Sequence, residues 1–528
     1  MKKSLAILAT MVALISSFAF ANGQTQLTAD KAEFIMNNGA EPQSLDPSLI
    51  QGVPEARLYM GLFEGLTIYD PKTSKAVPGL AEKWDISADG KTVTFHLRQS
   101  VWSDGKPLTA KDFVDGWIRT LKPETGSQYA YMMGMVIQGA DDFNQGKNKD
   151  PNSVGVKALD DNTLQVNLVG PSPYFVDMTA HQVFAPLPMH VINKWGDKWI
   201  QPEHFVGNGP FVLQEWKPQD YIFMVKNPKY WDAKNVKLNS VKVLAITDDK
   251  TAYNMFKKGE IDWTTNVPLD IIDEVKLLPT YQASPQLATY YYCFNNQRKP
   301  FDNPLVRQAL SAAVDKKALV EKVTKAGQIP TDAFTPPMPG FTPQPGIGYN
   351  VAKAKQLLAQ AGYPDGKGFP TFTILYNTNE GHKKIAEFMQ EQWKTNLNIN
   401  VNLQNQEWKT FLDTRSTSHD FDVARNGWVA DYMDPSNFQE LFLTGGGNND
   451  GQYSNPKFDE LIKKAATLPE GAERNKVQMD AEKIFAADQG MLPLYWYVNL
   501  DMIDLSKWDG WYANPLGMHD WKFISKKK

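Results

Sequence analysis

Between Pro370 and Val429 the chain alternates so regularly that few folds can hold it. The pattern predicts a strand at 371–377, a helix at 382–396, a strand at 398–403, a helix at 407–416 and a strand at 420–429. With connections this short, the expected arrangement is a parallel sheet with helices over its faces. In an open sheet of that kind a ligand sits beyond the carboxyl ends of the strands. The segment leaving the last strand is Gly427-Trp428-Val429-Ala430-Asp431-Tyr432, so Asp431 is expected at a strand's carboxyl end among aromatic side chains.

The same logic reads earlier segments. Val93, Phe95 and Leu97 alternate as a strand, and Thr109 with Asp112 at the third helical position opens a helix carrying Phe113, Val114, Trp117, Ile118 and Leu121 on one stripe. Asn303-Pro304 opens another helix, Asp315 a second and Asn350 a third, which Gly362 and Pro364 terminate. At 528 residues the chain exceeds what one core supports, so at least two domains are expected.

Lys2 and Lys3, the apolar run Leu5–Phe20 and the small residues of Ala19-Phe20-Ala21 read as a signal peptide, residues 1–21, cleaved after Ala21. No later stretch is apolar for long enough to span a bilayer. The chain is therefore expected to be exported and, with no cysteine after the cleavage site, not lipid-anchored. A lone cysteine, Cys293, allows no internal disulfide, and stability must come from packing. Cys293 lies in Tyr290-Tyr291-Tyr292-Cys293-Phe294, which reads as a buried strand and makes it a core thiol rather than a nucleophile.

The formal charge of −4 and the absence of any basic run beyond Lys526-Lys527-Lys528 exclude a nucleic-acid binder. Seven histidines form no HExxH pair, so no metal site is expected. Gly90-Lys91-Thr92 lacks the leading glycine of a phosphate loop, and Pro364 interrupts the glycines between 362 and 368. With neither a nucleophile elbow nor a dinucleotide fingerprint, no cofactor and no enzymatic activity are expected. An exported peptidase is the alternative of another class.

Six runs, Gly61–Leu66, Val77–Trp84, Trp102–Phe113, Asn208–Leu213, Asn227–Asp232 and Tyr290–Val314, resemble in the same order the peptide/nickel class of solute-binding proteins of ABC importers. Within that class Gln406–Arg415 followed by Phe421–Trp428 is similar to the periplasmic oligopeptide-binding proteins of enteric-type, Gram-negative bacteria. The resemblance implies an α/β, periplasmic binding protein-like fold: two α/β lobes joined by a hinge, plus an additional third domain. Domain I would comprise 22–63, 189–287 and 499–528, domain II 64–188 and domain III 288–498. It also implies a monomer that captures short peptides with little side-chain selectivity and hands them to membrane permease and ATPase subunits. Murein peptide, dipeptide, haem or a metal chelate are the alternatives within the class.

The resemblance carries residue roles. Asp431 would pair with the peptide's α-amine inside a wall of Trp428 and Tyr432, and Arg425, Arg415 and His382 would serve its carboxylate according to peptide length. Main chain around Tyr291, Asn266 and Gly427 would pair with the peptide backbone, and Tyr129, Trp408, Trp428 and Tyr497 would line hydrated side-chain pockets. His382 also reads as a cap of the helix it opens. Gln51 stands where close relatives carry an acidic residue facing such a pocket, which argues against a preference for basic side chains. Ala288 and Val429 stand where some relatives carry a cysteine pair.

Overall fold

A computed structural model describes residues 27–528, and the predicted signal peptide lies outside the described residues. Eleven strands form one large mixed sheet: β1 (Phe34–Asn37), β2 (Phe211–Lys217), β3 (Tyr221–Lys226), β4 (Ser240–Leu244), β5 (Trp263–Thr264), β6 (Tyr281–Phe294), β7 (Ile329–Pro330), β8 (Phe372–Asn377), β9 (Val401–Gln406), β10 (Val423–Val429) and β11 (Met491–Ile503). Their order is β2-β3-β4-β1-β5-β11-β6-β10-β8-β9, with β7 on β11. A separate four-stranded sheet holds Ala81–Ile86, Thr92–Leu97, Thr163–Asn167 and Val156–Asp160 in that order. No described helix is long and apolar enough to cross a membrane.

The alternating stretch folds as the pattern predicts: β8 pairs in parallel with both β9 and β10. Element boundaries shift for local reasons. Asn379, not His382, caps the second helix, its side chain accepting the His382 N–H at 3.1 Å, so the helix runs Glu380–Leu397. Asn398 then takes a left-handed φ of 56°, which delays β9 to Val401. The following helix is regular only over Trp408–Leu412 and widens into a π turn at Asp413–Thr417. Farther upstream, Asp112 accepts the Thr109 N–H at 2.7 Å, and Asn303, Asp315 and Asn350 each cap the helix they precede. Cys293 is buried in β6, where burial pushes its thiol up to about 12.

β6 and β11 run through both halves of the sheet. Tyr281–Pro285 pairs with Val498–Met502 on the β5 side, and Thr289–Cys293 pairs with Met491–Trp496 on the β10 side. Between Pro285 and Thr289 the register breaks, leaving Gln286, Leu287 and Ala288 opposite Tyr497. Such a bulge bends and twists a strand. The C-terminal segment reinforces it, Pro515 accepting the Leu287 N–H at 2.8 Å.

Beyond the bulge β6 takes up β10 in antiparallel register, beginning with Ala288 opposite Val429. Ala430 donates to the Leu287 carbonyl at 2.9 Å, so by alternation Ala288 and Val429 form a non-hydrogen-bonded pair. Cα atoms at such a pair stand about 4.5 Å apart, within disulfide range. The double variant Ala288→Cys/Val429→Cys is therefore expected to close a disulfide on oxidation and to gain about 2–4 kcal/mol of stability. Thiol titration and denaturant unfolding check this, and free thiols at both positions would refute the register.

Candidate binding site

The carboxyl ends of β8 and β10 open onto a cavity of about 400 Å³ that lies between the two halves of the sheet. Of the thirteen residues the sequence proposes, all but Tyr432 line it: Gln51, Tyr129, Asn266, Tyr291, His382, Trp408, Arg415, Arg425, Gly427, Trp428, Asp431 and Tyr497. They come from segments nearly 450 residues apart, and the sheet's strand order is what brings them together.

Asp431 follows β10 and is 6% exposed. Its Oδ2 accepts from Asn437 Nδ2 at 3.1 Å, and its N–H donates to Asn437 Oδ1 at 3.0 Å. Trp428 Nε1 donates to the same Oδ1 at 2.9 Å, so Asn437 orients carboxylate and indole together. Oδ1 lies 3.2 Å from His181 Nε2. The His181 Nδ1 accepts the Val183 N–H at 3.3 Å, so a neutral ring carries its proton on Nε2, facing Asp431. Asn437 Nδ2 is thus the side-chain donor bonded to the Asp431 carboxylate among the described residues, while His181 Nε2 stands beside it without a hydrogen bond.

The aromatic wall differs from expectation. Tyr432 turns away, stacks on Tyr174 at 5.0 Å and bonds Ser436 and Glu440, so it does not enclose Asp431. Asp431 and Tyr432 lie in the bend that follows β10, where the chain has left the strand. The wall is Tyr129, whose ring lies 4.7 Å from that of His181 and stacks on Trp428 at 5.9 Å.

Arg425 sits in β10, six residues before Asp431. Its Nη2 donates to the Tyr497 hydroxyl at 2.9 Å and Nη1 to Asn377 Oδ1 at 3.3 Å, while the guanidinium lies 4.9 Å from the Tyr290 ring centroid. It forms no ion pair with a described residue and its buried Nε has no partner. Gly427 makes this crossing possible, since a Cβ there would fall 2.6 Å from the Tyr497 hydroxyl and 3.0 Å from Arg425 Nη2. Arg415, by contrast, is already paired: Nε lies 3.0 Å from Asp450 Oδ2 and Nη1 donates to Asn426 at 3.0 Å. Of the two arginines proposed for a carboxylate, Arg425 is the one without an ion pair; Arg57, which also lines the cavity, likewise has none among the described residues.

The edge of β10 is equally open. β8 pairs with it only at Val423 and Ala424, so Arg425–Val429 have a sheet neighbour on the β6 side alone. The N–H groups of Gly427 and Val429 face the other edge, and the first is held by Asn426 Oδ1 at 2.8 Å. Asn266 is fixed on the opposite side of the cavity by Asn37 at 3.0 Å and Asp249 at 2.6 Å. Contacts that cross the cleft include the Lys384–Asp270 ion pair, Asn379 to Asp249 at 3.3 Å, Trp408 Nε1 to Glu55 Oε1 at 3.0 Å and Gln43 Nε2 to Asp413 Oδ1 at 3.5 Å.

Asn437 and His181 went unread in the sequence. Neither belongs to a motif, and His181 is one of seven histidines, 250 positions before the carboxylate it meets. Among the described residues no group of His, Cys, Asp and Glu converges as metal ligands.

A cavity between two sheet halves joined by two continuous strands, with a carboxylate that has no Lys or Arg partner and an arginine with no ion pair among the described residues, defines a two-lobed solute-binding protein. The chain belongs to the bacterial extracellular solute-binding proteins, family 5, whose middle region matches residues 75–450. It is 41% identical over 527 residues to the periplasmic oligopeptide-binding protein OppA of Salmonella typhimurium, covering 97% of this chain and 96% of that one. The structure of Haemophilus influenzae OppA in complex with RPPGFSPFR superposes with a TM-score of 0.89 at 36% identity, covering 94% and 99%. The Escherichia coli murein tripeptide-binding protein MppA superposes at 0.90 with 36% identity and the same coverage, whereas its unliganded open form reaches only 0.63, covering 93% and 97%. The lobes of this chain therefore stand in the closed arrangement.

His382 is half-buried, its Nδ1 3.2 Å from the Tyr290 hydroxyl, and desolvation, aided by the Arg425 charge, holds its imidazole well below the usual range. It is neutral in the folded protein and takes up a proton below about 6.5 in the unfolded chain. Its contribution to stability is full above that pH and is lost as pH falls below it. Against wild type, His382→Asn should flatten the fall of unfolding free energy between pH 7 and 5, as read by denaturant titration of the unliganded protein. Parallel pH profiles would show that His382 does not titrate in that window.

Proposed function

We propose that this chain captures short peptides as zwitterions between its lobes and presents them to an ABC importer. It is a periplasmic solute-binding protein, and the observation that carries the peptide reading is the pairing of an unneutralised Asp431 with an unneutralised Arg425 along one open strand edge. A free peptide brings an ammonium, a carboxylate and an unpaired backbone, and burying any of them without a partner costs several kcal/mol. Asp431 meets the ammonium, Arg425 the carboxylate through its forked donors, and the open edge of β10 the backbone, as in strand addition. Six residues of extended chain between the two charges span at most roughly 20 Å, the scale of a short peptide.

His382 serves the carboxylate of a peptide of another length, becoming protonated as that carboxylate arrives, and Arg415 with Asp450 supports the strand edge from behind. Side chains fill pockets against Tyr129, Trp408, Trp428 and Tyr497, where water adapts to different groups. Domain I (22–63, 189–287, 499–528) and domain III (288–498) close about the bulge in β6 and its partner segment in β11, with domain II (64–188) supplying Tyr129 and His181. The leader is removed after Ala21.

Native mass spectrometry and calorimetry on a tripeptide pool test the reading. Free peptides should bind and the same pool N-acetylated should not, and Asp431→Asn should weaken binding by about 2–5 kcal/mol, as removal of one partner of a buried charge pair does. Equal binding of acetylated peptides, or unchanged affinity in the variant, would remove Asp431 from the amine site.

A further inference from the structure

The helix Val53–Leu62, whose Glu55 meets Trp408 from across the cleft, brings a second arginine to the cavity. Arg57 lines the chamber on that side, is 9% exposed and forms no ion pair with a described residue. Its Nη1 donates to Asn38 Oδ1 at 3.2 Å, and its guanidinium carbon lies 5.9 Å from the centre of the Trp263 ring. Nε is buried without a partner, and Nη2 bonds no described residue. The carboxylate that acts on Arg57 is Asp501, beyond ion-pair distance and with both oxygens engaged: Oδ1 accepts from Trp263 Nε1 at 2.8 Å and Oδ2 from Asn499 Nδ2 at 2.7 Å. Burial brings the guanidinium down to about 10 against the pull of Asp501, so it remains charged at neutral pH. The ring of His519, which burial and the Arg57 charge bring down to about 3, is neutral there.

We propose that Arg57 makes the cavity selective for a peptide that carries a carboxylate side chain, an assignment that rests on the peptide reading above. A peptide extended along the open edge of β10 sends successive side chains to opposite sides, so some of them leave that edge and fill the rest of the chamber, where Arg57 lines the far wall. On that reading its terminal carboxylate is met by Arg425, and a second carboxylate has to come from a side chain. Glutamate or aspartate supplies Arg57 with a counter-ion and Nη2 with an acceptor in one group, and the planar guanidinium matches that group in shape. Glutamine offers the acceptor without the charge, and lysine meets like charge. Gln51 and Asn38, which line the cavity with Arg57, are neutral and leave its charge uncompensated.

The test is calorimetry on tri-alanine and on three derivatives with glutamate at each position in turn, each compared with glutamine at the same position. In wild type, glutamate at one position should bind at least about tenfold more tightly than glutamine. In Arg57→Gln that ratio should fall to about one, and in Asp501→Asn, which takes away the carboxylate acting on Arg57, it should rise. A wild-type ratio near one at every position overturns the assignment, also where Arg57→Gln weakens tri-alanine itself, since that would put the peptide's own terminus on Arg57. A wild-type ratio that stays unchanged in whichever of the two variants folds overturns it as well. Wild-type protein that binds none of the peptides overturns the peptide reading and this assignment with it, a failure distinct from a missing ratio between bound peptides.

Discussion

Two strands hold this molecule to its purpose. β6 and β11 are the elements that hydrogen-bond in both halves of the large sheet, and the slip between Pro285 and Thr289 gives them a bend where the halves meet. A continuous flat sheet would have no cleft, and two separate sheets would have no defined relation. By carrying paired backbone through the junction, the strands fix the axis about which the halves face each other, and the cavity forms where β10 ends beside them.

The polar groups of that cavity are held in place without being neutralised. Asp431 is oriented by the Asn437 amide, which takes its N–H and bonds its carboxylate, with the His181 ring alongside, and Arg425 by a hydroxyl, an amide and an aromatic face. Asp431 is buried and Arg425 half-buried, and neither pairs with an oppositely charged Lys, Arg, Asp or Glu side chain among the described residues, a state that a complementary ligand would relieve. Where a charge is paired internally, as Arg415 is with Asp450, it serves the scaffold, and Asn426 transmits that support to the Gly427 N–H. On the proposed reading, affinity for a ligand's ends and tolerance of its middle would follow from this division.

Much of the architecture was legible because it rests on local periodicity. The strands and helices between Phe372 and Val429 repeat on short cycles, and the placement of Asp431 beyond β10 followed from the parallel order alone. Errors arose where one side chain outbid another locally: Asn379 took the cap that His382 was expected to provide, and Asn398 held a left-handed turn that shortened the next strand. Tyr432 was misplaced because the chain bends directly after β10, so neighbours in sequence turn to different surroundings. His181, Asn437 and Glu55 were illegible for a different reason. Their partners lie on other segments, and no spacing rule reaches from His181 to Asp431 or from Glu55 to Trp408.

Cys293, sealed in β6 with its thiol pushed out of reach of ordinary pH, bears on the protein's biogenesis. A chain with one thiol has no wrong pairing to make and no oxidant to wait for, so its maturation after export is decoupled from the redox state of its surroundings. Folding then proceeds as fast as its cores can pack, and a fall in the supply of oxidising equivalents, which would stall a disulfide-built neighbour, leaves the supply of competent binding protein untouched.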